Sequence, residues 1–403
     1  MTVATPDEPA ILSEHDMRLP VRDSTELQGV IIPWAKPTLP EAARERVLEA
    51  LDSSWISHGP FVRELEQRIA ELCGVKYGIA VANGTVAIHL ALLGLGLQPG
   101  DEVIVPGFTF VAVANMAISV GATPVYADVD PDTWCLDLTA VKDAITARTK
   151  VICVVNLYGN VGDLQALRDL ADSHNIVLLE DNAESFGTMV HGRMAGSVGH
   201  LATLSFQATK TITTGEGGMV LTDSDALWEK MVLLRDHGMR KDRRYWHDVV
   251  GYNFRLTNLQ AALGCTQLDV LDEIFENRRR IHKSYLDALK SCAGFVPQTY
   301  RQGVQPVLWA FAGRVEASKG GSADLRQLRD HCIQELMRKG IETRPGFYAM
   351  SSLPPYDAPE LEISSRLAAS VISLPTYSDL TNEDIKYVCE NFIEILSEAS
   401  ASQ

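Results

Sequence analysis

One lysine of this sequence follows a short apolar run at a point where its amine could act as a nucleophile. Lys210 comes after the run Ala202–Phe206 and before the glycine-rich turn Thr213–Gly218. In an open α/β sheet, a residue that follows a strand lies at the edge where such sheets place their ligands. An amine at that edge can form a Schiff base with an aldehyde cofactor. Taken alone, the segment is better explained as a surface lysine beside a flexible turn.

Three other apolar runs also end in residues that suit a flat, phosphorylated cofactor. Asp181 follows a fully apolar run, and a buried carboxylate needs a partner such as a pyridinium N–H. Gly84 and Thr85 open a helix, whose N-terminus favours an anion. Phe110 could stack on a ring, although such aromatics more often belong to the core. Asp181 could equally be a helix N-cap, and the glycine turn is weak evidence alone. Combined with Lys210, these features are what pyridoxal 5′-phosphate (PLP) requires.

The elements that position these residues are predicted to form a layered α/β structure. Seven runs predict strands at Gly78–Ala82, Glu102–Pro106, Thr123–Asp128, Val151–Val155, Ile176–Glu180, Ala202–Phe206 and Gly218–Thr222. Most are continuously apolar, which is typical of parallel strands buried on both faces. Helical stretches are predicted between them at Val86–Leu95, Leu138–Ile145 and Asp163–His174. We therefore expect a mostly parallel seven-stranded sheet with helices on both faces.

The length of 403 residues suggests two domains, with three as the alternative. We predict a mobile N-terminal arm at 1–30, a large cofactor-binding domain at 31–265 and a smaller C-terminal α+β domain at 266–403. Leu259–Tyr285 is predicted to be one long helix or a helix pair. We interpret Arg278–Arg280, with Lys283, as a solvated helix face. The basic stretch Arg235–Arg244 could receive a nucleotide diphosphate, but a solvated loop balanced by nearby aspartates is slightly favoured.

The overall charge and the cysteines narrow the classes of function. The formal net charge is −16, which argues against a nucleic-acid binder. The seven cysteines are scattered without a CxxC motif, which argues against disulfides and structural zinc and favours a reducing cytoplasm. No set of residues has metal-ligand spacing, so no metal is predicted. The uncharged stretch 103–127 contains proline and glycine and is predicted to be strand, helix and strand rather than a membrane span.

The order of motifs along the chain resembles a known family. The motifs are Trp55-Ile56-Ser57, Asn83-Gly84-Thr85, Pro106–Val111, Leu157-Tyr158-Gly159, Glu180-Asp181, Ser205-Phe206, Lys210 with Thr213–Gly218, and His237-Gly238-Met239. Their order over residues 34–396 is similar to the DegT/DnrJ/EryC1/StrS sugar aminotransferases, which are fold-type-I PLP enzymes. Gly251–Asn258, Thr343-Arg344-Pro345 and Leu374–Tyr377 are most similar to the branch of 4-aminotransferases related to GDP-perosamine synthase.

This resemblance implies roles for particular residues. Lys210 would be the Schiff-base lysine and Asp181 the partner of the pyridine nitrogen. The remaining cofactor contacts implied are Gly84, Thr85 and Ser205 at the phosphate, Phe110 on the ring, Glu184 near the ring hydroxyl or Lys210, and Asn253 at the phosphate of a neighbouring subunit. The Asn253 role implies a homodimer with shared active sites. The substrate contacts implied are Ser57, His58, Arg344 and Phe347.

The resemblance also implies the reaction, which is transfer of the amino group of L-glutamate to a nucleotide-activated keto sugar. Four positions depart from the family pattern: Asn156, Asn182, Gln207 and Gly346. They leave the cofactor prediction intact but leave the sugar and the nucleotide open, with C4 of a GDP- or dTDP-linked 4-keto-6-deoxyhexose favoured. Amination at C3 and a regulatory PLP-binding protein without turnover remain alternatives. Lys210 argues against the family's dehydratases, which have histidine at that position.

Overall fold

A seven-stranded sheet forms the centre of the protein. The computed structural model describes residues 32–316 and 321–401. The strands in its N-terminal part are β1 Tyr77–Val81, β2 Glu102–Pro106, β3 Thr123–Ala127, β4 Thr149–Val155, β5 Val177–Asp181, β6 Met189–Val190, β7 Arg193–Met194, β8 Leu201–Ser205 and β9 Gly218–Thr222. The spatial order is β1-β9-β8-β5-β4-β2-β3. Only β9 runs antiparallel to its neighbours, so the predicted mostly parallel sheet is confirmed.

Helices cover both faces of this sheet. They are α1 Ala43–Asp52, α2 Pro60–Cys73, α3 Gly84–Leu95, α4 Ala112–Ser119, α5 Leu138–Ala144, α6 Leu164–Ser173, α7 Asp225–Arg235 and α8 Asn258–Leu268. Successive strand residues point to opposite faces. In β1, Ile79 therefore packs in the core with α3 and α4, whereas Ala80 packs in the core with α2 and α8. Both faces are apolar, which is why the strands appear as continuous apolar runs.

The parallel strands bring distant residues to one edge of the sheet. Asp181 is the last residue of β5 and pairs with Val155 of β4 and Thr203 of β8. Lys210 follows β8, and Gly84 follows β1, which runs in the same direction as β8. The sheet topology therefore brings Asp181, Lys210 and Gly84 to one edge, although Gly84 and Lys210 are more than a hundred residues apart in the sequence.

The C-terminal part forms a second layer. Its elements are α9 Leu271–Leu289, β10 Phe295–Pro297, β11 Val304–Gln305, β12 Phe311–Val315, α10 Ser322–Arg338, β13 Arg344–Pro345, α11 Glu362–Ser370, β14 Val371–Leu374 and α12 Asn382–Ala401. Strands β10, β12, β14 and β13 form an antiparallel sheet in that order, and β11 joins β6 and β7 in a small third sheet. Ala312 and Val371 of this layer share a core with the central sheet, which fixes the C-terminal layer against the strand-end site.

Most of the predicted elements are confirmed to within two residues, and Leu259–Tyr285 is a helix pair, α8 and α9. The prediction for Arg278 is wrong. Its side chain is buried. There it donates hydrogen bonds to the carbonyl oxygens of Leu308 (2.6 Å) and Trp309 (3.2 Å). The predicted arm at 1–30 lies outside the described residues, and the domain boundary at 265 stays a prediction.

Three further observations bear on the class of protein. All seven cysteines lie within the described residues and are free thiols. No helix in the described ranges is long and apolar enough to cross a membrane. Within the same ranges, no group of three or more His, Cys, Asp or Glu residues is placed to hold a metal ion.

Candidate active site

Lys210 lies at the carboxyl edge of the sheet with 13% of its side chain exposed, and the residues around its amine form what we call the Lys210 pocket. Its Nζ is 3.6 Å from Oε1 of Glu184 and 3.8 Å from the ring centroid of Trp309. Burial lowers the pKa of the Lys210 amine, while the nearby Glu184 and Asp181 carboxylates act in the opposite direction. Burial thus makes a neutral, nucleophilic amine easier to form, and the carboxylates keep the proton close by.

Glu184 is held in place by the segment that follows β4. Its Oε2 accepts a hydrogen bond of 3.0 Å from the backbone N–H of Tyr158. Tyr158 has a positive φ of 57°, a conformation that is uncommon for a residue with a side chain. This conformation aims the N–H at Glu184. Burial raises the pKa of Glu184 to about 7, although Lys210 and the Tyr158 N–H pull it down.

Asp181 ends β5 with its carboxylate buried in the same region. Its Oδ1 accepts hydrogen bonds from the backbone N–H of Ala183 (3.1 Å) and from Oγ1 of Thr203 (3.3 Å). Burial raises the pKa of the Asp181 carboxyl, against the effects of these donors and of Lys210. Its neighbour Asn156 is also buried and has a side-chain oxygen, Oδ1, with no hydrogen-bond partner. The strand ends therefore present acceptors that a polar ligand could satisfy.

A small cradle lies between the start of α3 and the end of β8. A Cβ added to Gly84 would lie 2.8 Å from Cβ of Ser205, so a side chain at Gly84 would collide with this serine. Asn83 caps α3 by accepting a hydrogen bond of 2.9 Å from the Val86 N–H. The first N–H groups of a helix have no intrahelical partner, so Gly84 and Thr85 can bind an anion beside Ser205.

Aromatic rings form a wall beside the lysine. Trp309 stacks on Tyr158 with the ring centroids 5.7 Å apart, and Tyr158 stacks on Phe347 at 5.9 Å. Phe347 is 6.0 Å from Phe110, whose side chain is 54% exposed. The wall thus joins the predicted ring-stacking residue Phe110 and the predicted substrate residue Phe347 to the Lys210 pocket.

Arg344 reaches this wall from the C-terminal layer. Its guanidinium lies 4.2 Å from the ring centroid of Trp34, and Trp34 is in edge contact with Trp309 at 5.1 Å. Gly346, near Arg344 in sequence, has no room for a side chain, since a Cβ there would lie 2.7 Å from Cβ of Val371. This departure from the family pattern is therefore accounted for by local packing.

The other predicted residues lie elsewhere on the chain's surface. Ser57 and His58 are exposed, in a loop that the Asn258 side chain holds through hydrogen bonds to Trp55 and Phe61. Asn253 is exposed and accepts a hydrogen bond of 3.1 Å from Nε of Arg255. The described contacts within one chain do not bring Ser57, His58 or Asn253 to Lys210.

Some of the basic side chains in the stretch 235–244 are already paired, within the stretch or with residues outside it. Arg235 bonds Glu66 and the carbonyl oxygen of Ala80, and Arg240 bonds Asp242 at 2.7 Å. These pairs favour the interpretation of the stretch as a balanced loop.

Sequence reasoning missed Trp309 and Trp34. A single tryptophan in an apolar segment such as Val307–Ala312 is typical of a core residue, so the local pattern carried no signal for a site. Tyr158 was noticed only as part of a motif, and its contact with Glu184 depends on a backbone conformation that the sequence does not reveal.

Comparison with known proteins places the chain in a family. Residues 37–393 match the model of the DegT/DnrJ/EryC1/StrS aminotransferase family. The chain is 42% identical over 368 residues to the GDP-perosamine synthase of Caulobacter vibrioides, covering 90% of this chain and 97% of that protein. It is 34% identical to a pleiotropic regulatory protein of Geobacillus stearothermophilus, covering 94% and 98% of the two chains.

A solved structure agrees with this result. The Streptococcus pneumoniae protein Spr1654, determined in its PMP form, superposes with a TM-score of 0.85 at 29% identity, covering 92% of this chain and 99% of that one. The family model covers nearly the whole described chain, and the fold agrees with it. The chain therefore belongs to the DegT/DnrJ/EryC1/StrS aminotransferase family.

Proposed function

We propose that this protein is a PLP-dependent aminotransferase that moves the amino group of L-glutamate to a nucleotide-diphosphate-activated keto sugar. The favoured position is C4 of a 4-keto-6-deoxyhexose linked to GDP or dTDP, giving a 4-amino sugar nucleotide. The observation that carries the proposal is the buried amine of Lys210, held 3.6 Å from Glu184 at the strand edge that also holds Asp181. The 42% identity to a GDP-perosamine synthase supports the choice of substrate class.

The residues at the strand edge fit PLP. Gly84 lets the start of α3 lie close to Ser205, since a Cβ at Gly84 would lie only 2.8 Å from the Ser205 Cβ. The unpaired N–H groups of the helix start beside the Ser205 hydroxyl suit a phosphate. The buried Asp181 carboxylate suits a protonated ring nitrogen, and the unpaired Oδ1 of Asn156 offers one more acceptor. When bound, PLP supplies an aldehyde that takes up the amino group and an electron-poor ring that stabilises charge at the substrate carbon.

The chain's own residues supply binding and proton transfer. The Lys210 amine takes a proton from the substrate carbon that carries the nitrogen, which requires the amine to be neutral at that moment. Asp181 keeps the ring nitrogen protonated, because a buried carboxylate is stabilised by a cationic partner. Glu184 holds the Lys210 amine in position and can exchange a proton with it, since burial brings the pKa of Glu184 to about 7.

We also propose that the active enzyme is a homodimer in which Ser57, His58 and Asn253 complete the neighbouring subunit's site. The loop before Ser57 and the helix α1 expose several large apolar side chains: Leu48, Leu51, Trp55 and Ile56. A grouped apolar surface of this kind is typical of an interface between chains. The side chains that α1 buries against its own chain are the small Ala43 and Ala50, so its larger apolar side chains Leu48 and Leu51 stay exposed.

The seven free cysteines support a cytoplasmic location, since reduced thiols are usual in that compartment. This location belongs to the proposal.

A half-reaction assay tests the proposed function. L-Glutamate should convert the enzyme to its PMP form, seen as loss of the absorption band of the lysine-bound cofactor. GDP-4-keto-6-deoxymannose, dTDP-4-keto-6-deoxyglucose and a dTDP-3-keto sugar are then added separately. Return of the band with a 4-keto sugar would support the proposal and identify the nucleotide. Return only with the 3-keto sugar would replace it with C3 amination.

A regulatory function is the second candidate, because one relative at 34% identity is described as a pleiotropic regulatory protein. Such a protein could retain Lys210, Asp181 and Ser205 for cofactor binding alone. The glutamate step separates the two candidates. A regulator without turnover would bind PLP and keep its absorption band after addition of glutamate, and that result would contradict the aminotransferase.

A further inference from the structure

Trp309 makes a contact with Lys210 that the proposed mechanism leaves unexplained. The Lys210 Nζ lies 3.8 Å from the centre of the Trp309 ring, well within the distance at which an ammonium group is attracted to the face of an indole. Glu184 lies 3.6 Å from the same nitrogen. The amine therefore has two neighbours that both favour its charged form, one a carboxylate and one a neutral ring.

The Trp309 ring is fixed in this position by its own contacts. Its Nε1–H donates a hydrogen bond of 3.0 Å to the carbonyl oxygen of Thr209, the residue next to Lys210. Tyr158 stacks on the ring and Trp34 contacts it edge-on. Because the indole is hydrogen-bonded to the backbone next to Lys210, its ring has little freedom to move away from the amine.

The backbone of Trp309 is fixed as well. The buried guanidinium of Arg278 donates hydrogen bonds to the carbonyl oxygens of Leu308 and Trp309. A buried arginine is costly unless its donors are used. Through Arg278, α9 therefore holds the segment of Leu308 and Trp309 in place beside the strand-end site.

Tyr158 links the two neighbours of the amine. Its ring stacks on Trp309, and its backbone N–H donates to Glu184. Lys210, Glu184, Tyr158 and Trp309 thus form a closed set of contacts around one nitrogen atom. The other charged group that acts on Lys210 is Asp181, at the end of β5.

We propose that Trp309 is a positioning residue for Lys210, whose ring face and the Glu184 carboxylate hold the free amine between them and strengthen its hold on a proton. The inference rests on the proposed role of Lys210 as the working amine. It assigns to Trp309 the task of keeping the amine aimed at the pocket in the part of the cycle in which Lys210 is free. A neutral ring suits this task, because it attracts the ammonium form without taking its proton.

The test compares W309F and W309L with the unchanged protein, and uses W228F as a matched control. Trp228 lies on α7 and stacks on Tyr77, so it is a packed tryptophan outside the pocket. The full chain, freed of cofactor, is labelled with acetic anhydride at a series of pH values, and labelling of the Lys210 peptide is followed by mass spectrometry. Thermal unfolding of each variant checks that it folds.

Loss of the ring face should make Lys210 lose its proton more readily. We expect the midpoint of labelling to fall by about one pH unit in W309L, since a desolvated cation–π contact is worth roughly that much. W309F keeps an aromatic face and should show a smaller fall, and W228F should show none. In the PMP form, the return reaction with 2-oxoglutarate should show a pH profile shifted in the same direction.

An unchanged midpoint in folded W309L would overturn the proposal and reduce Trp309 to a packing residue. Equal shifts in W309F and W309L would also overturn it, because they would show that the ring face has no effect. If W309L fails to fold, the comparison of W309F with W228F decides. The labelling needs no substrate, so a protein that ignores glutamate would contradict the proposed function while leaving this test intact.

Discussion

The predicted site residues fall into two regions with opposite character. Asp181 and Glu184 are buried at the strand edge, Lys210 is largely buried there, and the three contact one another or act on each other's pKa values. Ser57 and His58 are exposed on the loop between α1 and α2, and Asn253 is exposed on the segment between α7 and α8. One chain thus brings together the residues proposed for proton transfer, whereas the exposed residues would act only in the proposed dimer with shared sites.

The difference has a physical origin in the two backbones. Parallel strands must end at a common edge, so residues that follow them meet whatever their separation in sequence. A surface loop has no such constraint. Asn258 holds the loop of Ser57 and His58 firmly, but it holds that loop against α8 and not against the strand edge.

The largest expected effect is at Lys210. K210A should lower turnover by about 10⁴-fold or more, because proton transfer then depends on water. Steady-state kinetics and the glutamate half-reaction measure this loss. K290A, at an exposed lysine, should have near-normal activity. Normal turnover by K210A would show that Lys210 is not the working amine, and the buried region would then lose its proposed role in proton transfer.

A smaller loss is expected at Asp181. D181N keeps the shape of the side chain but loses the charge that holds the ring nitrogen protonated, and should reduce kcat by about 10²–10³-fold. D287N, at an exposed aspartate on α9, serves as its control. A D181N enzyme with unchanged kcat would show that the buried carboxylate has only a structural role.

Mixed dimers test whether the exposed region works in trans. K210A and N253D should each be nearly inactive alone. Mixed under conditions that exchange subunits, they should regain about a quarter of the normal activity, because half the dimers then contain one intact site of two. K210A mixed with the chain that carries both substitutions has no intact site and should stay inactive. Failure of the first mixture, with exchange demonstrated, would contradict shared sites.

The smallest expected effect is on stability at Glu184. Burial raises its pKa from 4.5 to about 7, so the folded protein binds this proton more tightly than the unfolded chain does. The resulting stabilisation is complete below the unfolded pKa and is lost as the pH rises through about 7. The melting temperature of the unchanged protein relative to E184Q should therefore fall by about 3 °C between pH 5 and pH 8.

Differential scanning calorimetry at the two pH values measures this change. The lowered pKa of Lys210 acts in the opposite direction, with stability lost as the pH falls. Because the Glu184 carboxylate also raises the Lys210 pKa, the difference between the two proteins reports the coupled pair. An identical pH dependence in the two proteins would show that the Glu184 carboxyl is not buried as described.

Much of the fold and part of the site could be predicted from residues alone. The continuous apolar runs predicted the seven strands, because a strand buried on both faces has no polar side to display. Asp181 and Lys210, which follow two of those runs, could be placed at one edge because parallel strands end at a common edge. Glu184 could be assigned near Lys210 only through the family resemblance.

Other features depended on tertiary structure. Nothing in the local sequence indicates that Trp309 faces Lys210, since that contact requires the C-terminal layer to pack against the sheet edge. Arg278 looks like a surface charge because its acceptors, the carbonyl oxygens of Leu308 and Trp309, lie on a distant segment. Local spacing determines which residues share an element and an edge. Contacts between elements are decided by the packing of the whole chain, and the environment of the reactive amine is such a contact.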